Sequence, residues 1–168
     1  MKKLLNYCNM KTLLLILITW MALPAFSQTR KEKEAAKEEN VRKALEADRY
    51  TIDINYMIPS KGPGRPLTTD YSVTVRNDSL ISYLPYAGRA YSIPYGGGKA
   101  LNFSAPIENY EKKTKKKGET EITVSLRNDE DSYIYRLTVY KNGNASLYVQ
   151  PTQRQSISFS GEMDLKEN

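Results

Sequence analysis

From Tyr50 onward, apolar and polar residues alternate along the chain. Ile52, Ile54, Tyr56 and Ile58 interleave with Thr51, Asp53, Asn55 and Met57, and Tyr71, Val73 and Val75 with Ser72, Thr74 and Arg76. Leu101, Phe103, Ala105 and Ile107 follow the same rule, as do Ile122, Val124 and Leu126, then Tyr133, Tyr135, Leu137 and Val139. Leu147 with Val149 and Ile157 with Phe159 continue it. Successive strand side chains point to opposite faces, so the pattern predicts strands with one buried and one wet face, paired antiparallel. A parallel sheet would need unbroken apolar strands separated by helices, and this stretch has neither. Asn142-Gly143 predicts a type I′ hairpin. Asn77-Asp78, Asn128-Asp129 and Lys117-Gly118 predict short breaks, and Pro59 to Pro66 a loop that no strand crosses. About eight strands result. They predict an antiparallel meander that closes into a lipocalin-like barrel or packs as a β-sandwich, and closure, which removes open edges, favours the barrel. The Arg-Asn-Asp tripeptide at 76–78 returns at 127–129. It reads as one turn chemistry used twice and not as a repeat.

Before Tyr50 the period is helical. Thr29 to Asn40 is almost wholly charged, and only Val41, Ala44 and Leu45 share a face at i, i+3, i+4 spacing. The segment predicts a solvated helix that docks through Val41 and Leu45, with Glu38–Arg42 and Glu39–Lys43 as i, i+4 ion pairs. The chain therefore divides into a charged helical linker at 28–40, a single β domain at 41–161 and a polar tail at 162–168.

The first 27 residues have the layout of a secretory signal. Lys2, Lys3 and Lys11 are followed by the apolar run Leu13 to Ala22, then by Pro24 and the small residues Ala25 and Ser27. Cleavage is expected between Ser27 and Gln28. The run is about half of the roughly 20 residues a bilayer span needs, so no transmembrane span is expected after processing. Cys8, the only cysteine, precedes the apolar run and is misplaced for a lipoprotein anchor. Processing would remove it together with Trp20, leaving 141 residues without Cys or Trp. A domain of that size can be held by burial alone, without disulfide or metal. Loss of the three lysines leaves 22 bases against 19 acids, a net of +3. That charge is too weak to suggest a nucleic-acid partner.

The chain contains no histidine. Ser-His-Asp and Cys-His machinery is therefore excluded from the processed chain, and a zinc site would rest on carboxylates alone. A carboxylate pair drawn from Asp53, Asp70 and Glu108, or a Ser-Lys pair, remains as the hydrolase alternative. Gly96-Gly97-Gly98-Lys99-Ala100 lacks the first glycine and the Ser/Thr of a phosphate loop, and reads as a flexible loop. Asp129-Glu130-Asp131 lacks calcium-loop spacing and reads as a solvated turn. No cofactor is expected.

Three surfaces remain as candidates. Tyr83, Tyr86, Arg89, Tyr91 and Tyr95 fall in one Pro-rich stretch; tyrosine faces suit a glycan or small amphipathic ligand, and Arg89 an anion. The same tyrosines would equally make a structural plug over a barrel end. Lys112, Lys113, Lys115, Lys116 and Lys117 form an expected hairpin loop that would meet anionic lipid headgroups, or simply keep a turn soluble.

Leu84-Pro85-Tyr86-Ala87-Gly88-Arg89-Ala90-Tyr91, preceded by Tyr71 to Asp78 and followed by the Lys-rich loop, resembles domain of unknown function 4251, a family of exported Bacteroidetes proteins. The resemblance covers roughly Val41 to Gly161 and implies a Gram-negative envelope: periplasmic, outer-membrane-associated or secreted. It supplies no activity or ligand. In that setting Asp78-Ser79-Leu80 is similar to Asp-Ser/Thr-apolar O-glycosylation sites, which makes Ser79 the third candidate. The leading expectation is a non-enzymatic binding protein with a cavity of several hundred Å³ inside or at the end of the barrel. An envelope structural or protein-interaction module without a small ligand is the alternative.

Overall fold

The computed structural model describes residues 30–92, 98–115 and 118–165. The expected cleavage site at Ser27 and Gln28, together with Tyr95, Gly96, Gly97, Lys116 and Lys117, lies outside them. The chain divides into two units, 1–34 and 35–168. In the first, Arg30 pairs with Glu34 at 2.9 Å in the opening turn of α1 (Arg30–Glu46). The second holds the rest of α1 and a barrel of eight strands. They are β1 (Arg49–Pro59), β2 (Arg65–Arg76), β3 (Ser79–Leu84), β4 (Leu101–Thr114), β5 (Thr120–Arg127), β6 (Ser132–Val139), β7 (Asn144–Pro151) and β8 (Ile157–Met163). Each strand pairs antiparallel with its sequence neighbour, and β8 returns to β1 to close the barrel. α1 runs unbroken through the expected 40/41 boundary, and β8 ends just beyond residue 161.

The alternation does what it predicts on five of the strands. On β3, β5, β6, β7 and β8 every second residue is buried. β1 departs because it carries a bulge between Ile54 and Tyr56 against both neighbours. One extra residue reverses the faces. Ile52, Ile54 and Met57 are buried while Tyr56 and Ile58, expected inside, are exposed. The bulge pushes β1 backbone against β8, where Gly161 sits opposite; a Cβ there would collide with the Asp53 carbonyl. β4 has a second bulge between Ile107 and Asn109. Beyond it Tyr110 and Lys112 lie opposite Val124 and Ile122, whose side chains are buried.

An eight-stranded barrel is just wide enough for side chains to fill. Here they do. Ile52, Met57, Leu84, Leu101, Val149 and Phe159 have no more than 1% of their surface accessible, which leaves no room for water against them. Tyr135 donates to Ser82 Oγ at 3.0 Å, and Ser82 to the Leu101 carbonyl at 2.7 Å, so the buried hydroxyls are satisfied. Burial raises the Tyr135 pKa. Around these residues the interior is packed core, where the expectation was a cavity of several hundred Å³ inside or at the end of the barrel.

Turn chemistry differs in detail from expectation. Asn142-Gly143 is not type I′: Gly143 has φ 82° but Asn142 is not at positive φ, and Gly143 N–H bonds the Tyr140 carbonyl at 2.9 Å in a three-residue loop. Asn77 turns β2 into β3 at φ 53°, whereas Asn128 Oδ1 accepts the Glu130 and Asp131 N–H groups. The shared tripeptide therefore makes two different turns. β2 begins at Arg65, with Pro66 opposite Tyr56, so the Pro59–Pro66 loop is shorter than expected.

Candidate functional site

The meander places the loop residues 60–64, 85–92, 98–100, 128–131 and 152–156 at one barrel end. At this loop end the Tyr-rich segment is stitched to the β7–β8 loop. Tyr86 donates to the Gln155 carbonyl at 2.9 Å, Gln155 N–H to the Arg89 carbonyl at 2.9 Å, and Arg89 N–H to Gln155 Oε1 at 3.1 Å. Tyr91 N–H reaches the Gln153 carbonyl at 2.7 Å, and Ala90 forms an isolated antiparallel bridge with Arg154. Burial raises the Tyr86 pKa, with Arg154 5.8 Å from its ring opposing that shift.

Under this strap lies buried charge that sequence reasoning assigned to a solvated turn. Asp131 is 7% exposed; its Oδ1 accepts from Ser132, Thr152 and Gln153 N–H at 2.8–3.1 Å and its Oδ2 from Gln153 at 3.0 Å. Arg154 Nη2 pairs with Glu130 Oε2 at 3.1 Å, and the two side chains are 6% and 16% exposed. Glu130 Oε1 also accepts from Lys99 N–H at 2.8 Å. Gly98 crosses directly over the pair: a Cβ there would meet Arg154 Nη2 and Glu130 Oε2, both at 2.6 Å. These carboxylates are spent on protein donors and hold the loops together. Among the described residues no group of three or more Asp, Glu or Cys has metal-site geometry. The signal for this end was in the sequence only as three scattered polar clusters, which no spacing rule joins.

Of the described ligand candidates, Tyr86, Arg89 and Tyr91 share the strap, where Tyr86 donates to the Arg89 carbonyl at 3.2 Å, while Tyr83 lies on β3. Tyr83 projects outward from β3 at 47% exposure and stacks on Tyr71 with centroids 5.3 Å apart. Tyr86 is half-buried in the strap, while Tyr91 is 66% exposed and Arg89 is exposed. Asp53 and Asp70 line one outer groove, Glu108 another.

Two of the candidate lysines fall in a strand and not in a loop. Lys112 and Lys113 lie in β4. Lys112 Nζ donates to the Leu45 carbonyl at 2.6 Å and to Asp48 Oδ1 at 2.5 Å, completing the C-terminus of α1. Tyr110 donates to Asp48 at 2.9 Å and takes a bond from Tyr50 at 3.2 Å. Burial, chiefly, pushes Tyr110 up to about 12 and Tyr50 further. Lys113 pairs with Glu111 at 3.3 Å and Lys115 with Glu121 at 2.5 Å. The Glu121 hydrogen bond raises the Lys115 pKa. Val41 and Leu45 dock as expected and Glu39 pairs with Lys43 at 3.8 Å as expected while also bonding Arg42, but Glu38 pairs with Lys141 at 2.6 Å instead of Arg42. Ser79 opens β3, half-buried, with its hydroxyl donated to Asp78 at 2.9 Å.

A family model described as a domain of unknown function, DUF4251, matches residues 32–163, from inside α1 to the end of β8. The chain belongs to the DUF4251 family. A crystal structure of a DUF4251 protein from Bacteroides eggerthii DSM 20697 is similar at TM-score 0.58 and 18% identity, covering 77% of this chain and 90% of that one. At that identity the likeness is one of fold. Comparison with curated proteins finds no match. The DUF4251 match spans both barrel ends, so the strap and the Lys112 contacts belong to the family domain and not to an appendage.

Proposed function

We propose that this DUF4251 protein is an exported, non-enzymatic binding protein of a Gram-negative envelope that works from the outer surface of a solid barrel. The observation that carries the reading is the filled interior. The inaccessibility of side chains such as Met57, Leu84 and Phe159 supports a ligand met on the outer surface. The stacked Tyr71–Tyr83 pair, Ile81 and Tyr91 offer flat apolar area with polar tips, which suits a glycan or a small amphipathic molecule. The separation of Asp53 and Asp70 from Glu108 supports a binding role over a hydrolytic one. The charged, apolar, small-residue order of the first 27 residues supports export.

Two measurements test this. Titration with a fatty-acid fluorophore is expected to give no saturable binding, while solubilised envelope glycans are expected to bind and to lose at least tenfold in affinity with Tyr83→Ala and Tyr91→Ala. One-to-one fatty-acid binding that survives both substitutions would place the ligand inside and overturn the reading. Protein recovered from a Gram-negative host should begin at Gln28 in the periplasmic or outer-membrane fraction. A cytoplasmic product that retains Met1 would remove export.

A further inference from the structure

A second site, at the other end of the barrel, stands apart from the aromatic surface. An open groove of about 590 Å³ runs between α1 and the barrel wall. Asn40, Lys43 and Ala44 of α1 line it at i, i+3, i+4, so one helix face supplies an amide, an ammonium and a residue small enough to leave room. Across from them, Arg49 of β1 and Arg76 of β2 are direct partners in the ladder, both exposed. The next pair on that outer face, Thr51 and Thr74, is bonded at 3.0 Å through its hydroxyls.

Two arginines facing each other across a ladder repel, because partner Cα atoms are only about 5 Å apart. The flanking turns fix the spacing of their Cα atoms. Arg49 follows Asp48 at φ 49°, Arg76 precedes Asn77 at φ 53°, and Asn77 N–H bonds the Asp48 carbonyl at 3.3 Å, tying the two turns together. Among the described residues neither guanidinium has a carboxylate within salt-bridge distance. Lys43, the third cation, lies 3.8 Å from Glu39. Asp164, anchored by its N–H to the Thr51 carbonyl at 2.9 Å, is the acid that lines the same groove.

We infer that this groove binds a phosphate-bearing anion, with Arg49 and Arg76 forking onto its oxygens and Lys43 and Asn40 completing the shell from α1. Guanidinium forks match phosphate geometry and stay charged at every physiological pH, so an anion between them converts repulsion into two bidentate contacts. The ligand is either a free phosphate ester or a phospholipid headgroup; the chemistry is common to both.

Calorimetric titration of the full chain with inorganic pyrophosphate at low ionic strength tests the site. One-to-one saturation is expected, weakened at least tenfold by Arg49→Gln with Arg76→Gln. Lys113→Gln with Lys115→Gln, which removes equal charge elsewhere, should stay within twofold of the parent. The arginine variant should melt at or above the parent temperature, since like charges are removed; should it fail to fold, Arg76→Lys keeps the charge, loses the fork and is expected to bind severalfold more weakly. Cosedimentation with phosphatidylglycerol but not phosphatidylcholine vesicles, competed by pyrophosphate, would assign a headgroup; pyrophosphate binding without vesicle binding would assign a free ester. No saturable binding, or equal weakening by the arginine and lysine pairs, overturns the inference.

Discussion

At the helix end of the barrel, Lys112 reaches a carbonyl and a carboxylate, Leu45 and Asp48, that lie within one turn of each other in sequence. At the loop end, Asp131 and Glu130 gather donors from β6, the β7–β8 loop and the segment entering β4. Both ends pair charge, but only the loop end buries it. The first satisfies a helix terminus that water could serve as well, while the second supplies partners to Asp131 and Arg154, which are almost entirely shielded from water. The lesson is that similar ion pairs carry very different energetic weight according to whether solvent can take a partner's place.

The comparison breaks most easily at Glu130. Glu130→Ala leaves Arg154 buried and unpaired, and should cost about 3 kcal/mol in urea unfolding. Glu130→Leu combined with Arg154→Met should recover most of it; a double variant as unstable as the single one would mean the pair is not what holds this end. Asp131→Ala strips the acceptor from three backbone N–H groups and is expected to cost about 2 kcal/mol, with amide exchange accelerating at Thr152 and Gln153 before the helix is affected. At the helix end the effects shrink. Tyr50 and Tyr110 stay protonated in the folded chain where unfolded tyrosines, near pH 10, ionise. The folded state therefore holds more protons there, and stability present in full below pH 10 should fall by on the order of 1 kcal/mol as pH rises through about 12. Tyr50→Phe with Tyr110→Phe should flatten that decline; an unchanged profile would assign it to other groups. Lys112→Met, at a partly exposed pair, is expected to cost less than about 1 kcal/mol, and the difference should vanish in 1 M salt. A loss as large as that at Glu130 would erase the distinction between the ends.

The same contrast decides how much could be read from the sequence. Local periodicity gives the strands, their number, the docking residues Val41 and Leu45 and the closed meander, because each depends on residues a few positions apart. The bulges at Ile54/Tyr56 and Ile107/Asn109 were legible only as breaks in parity: Ile54 to Met57 and Ile107 to Tyr110 step by three where alternation steps by two. Taking Tyr56 and Ile58 as inward skipped over the first. The loop end was not legible at all, since Gly98, Glu130 and Arg154 meet only after three hairpins have formed. Lys112 was hidden differently. Lying in a run of lysines made it look like solvent-facing charge, while the bulge turned it toward α1.

The bulge of β1 against Gly161 lies on the seam that joins the first strand to the last. A ribosome delivers β1 early, yet its outer edge finds no permanent mate until β8 has emerged, so any sheet formed before then has two open borders. The final zip-up is thus a late, long-range step, and a chaperone or transport machinery that grasps unfinished chains would have that whole interval in which to act.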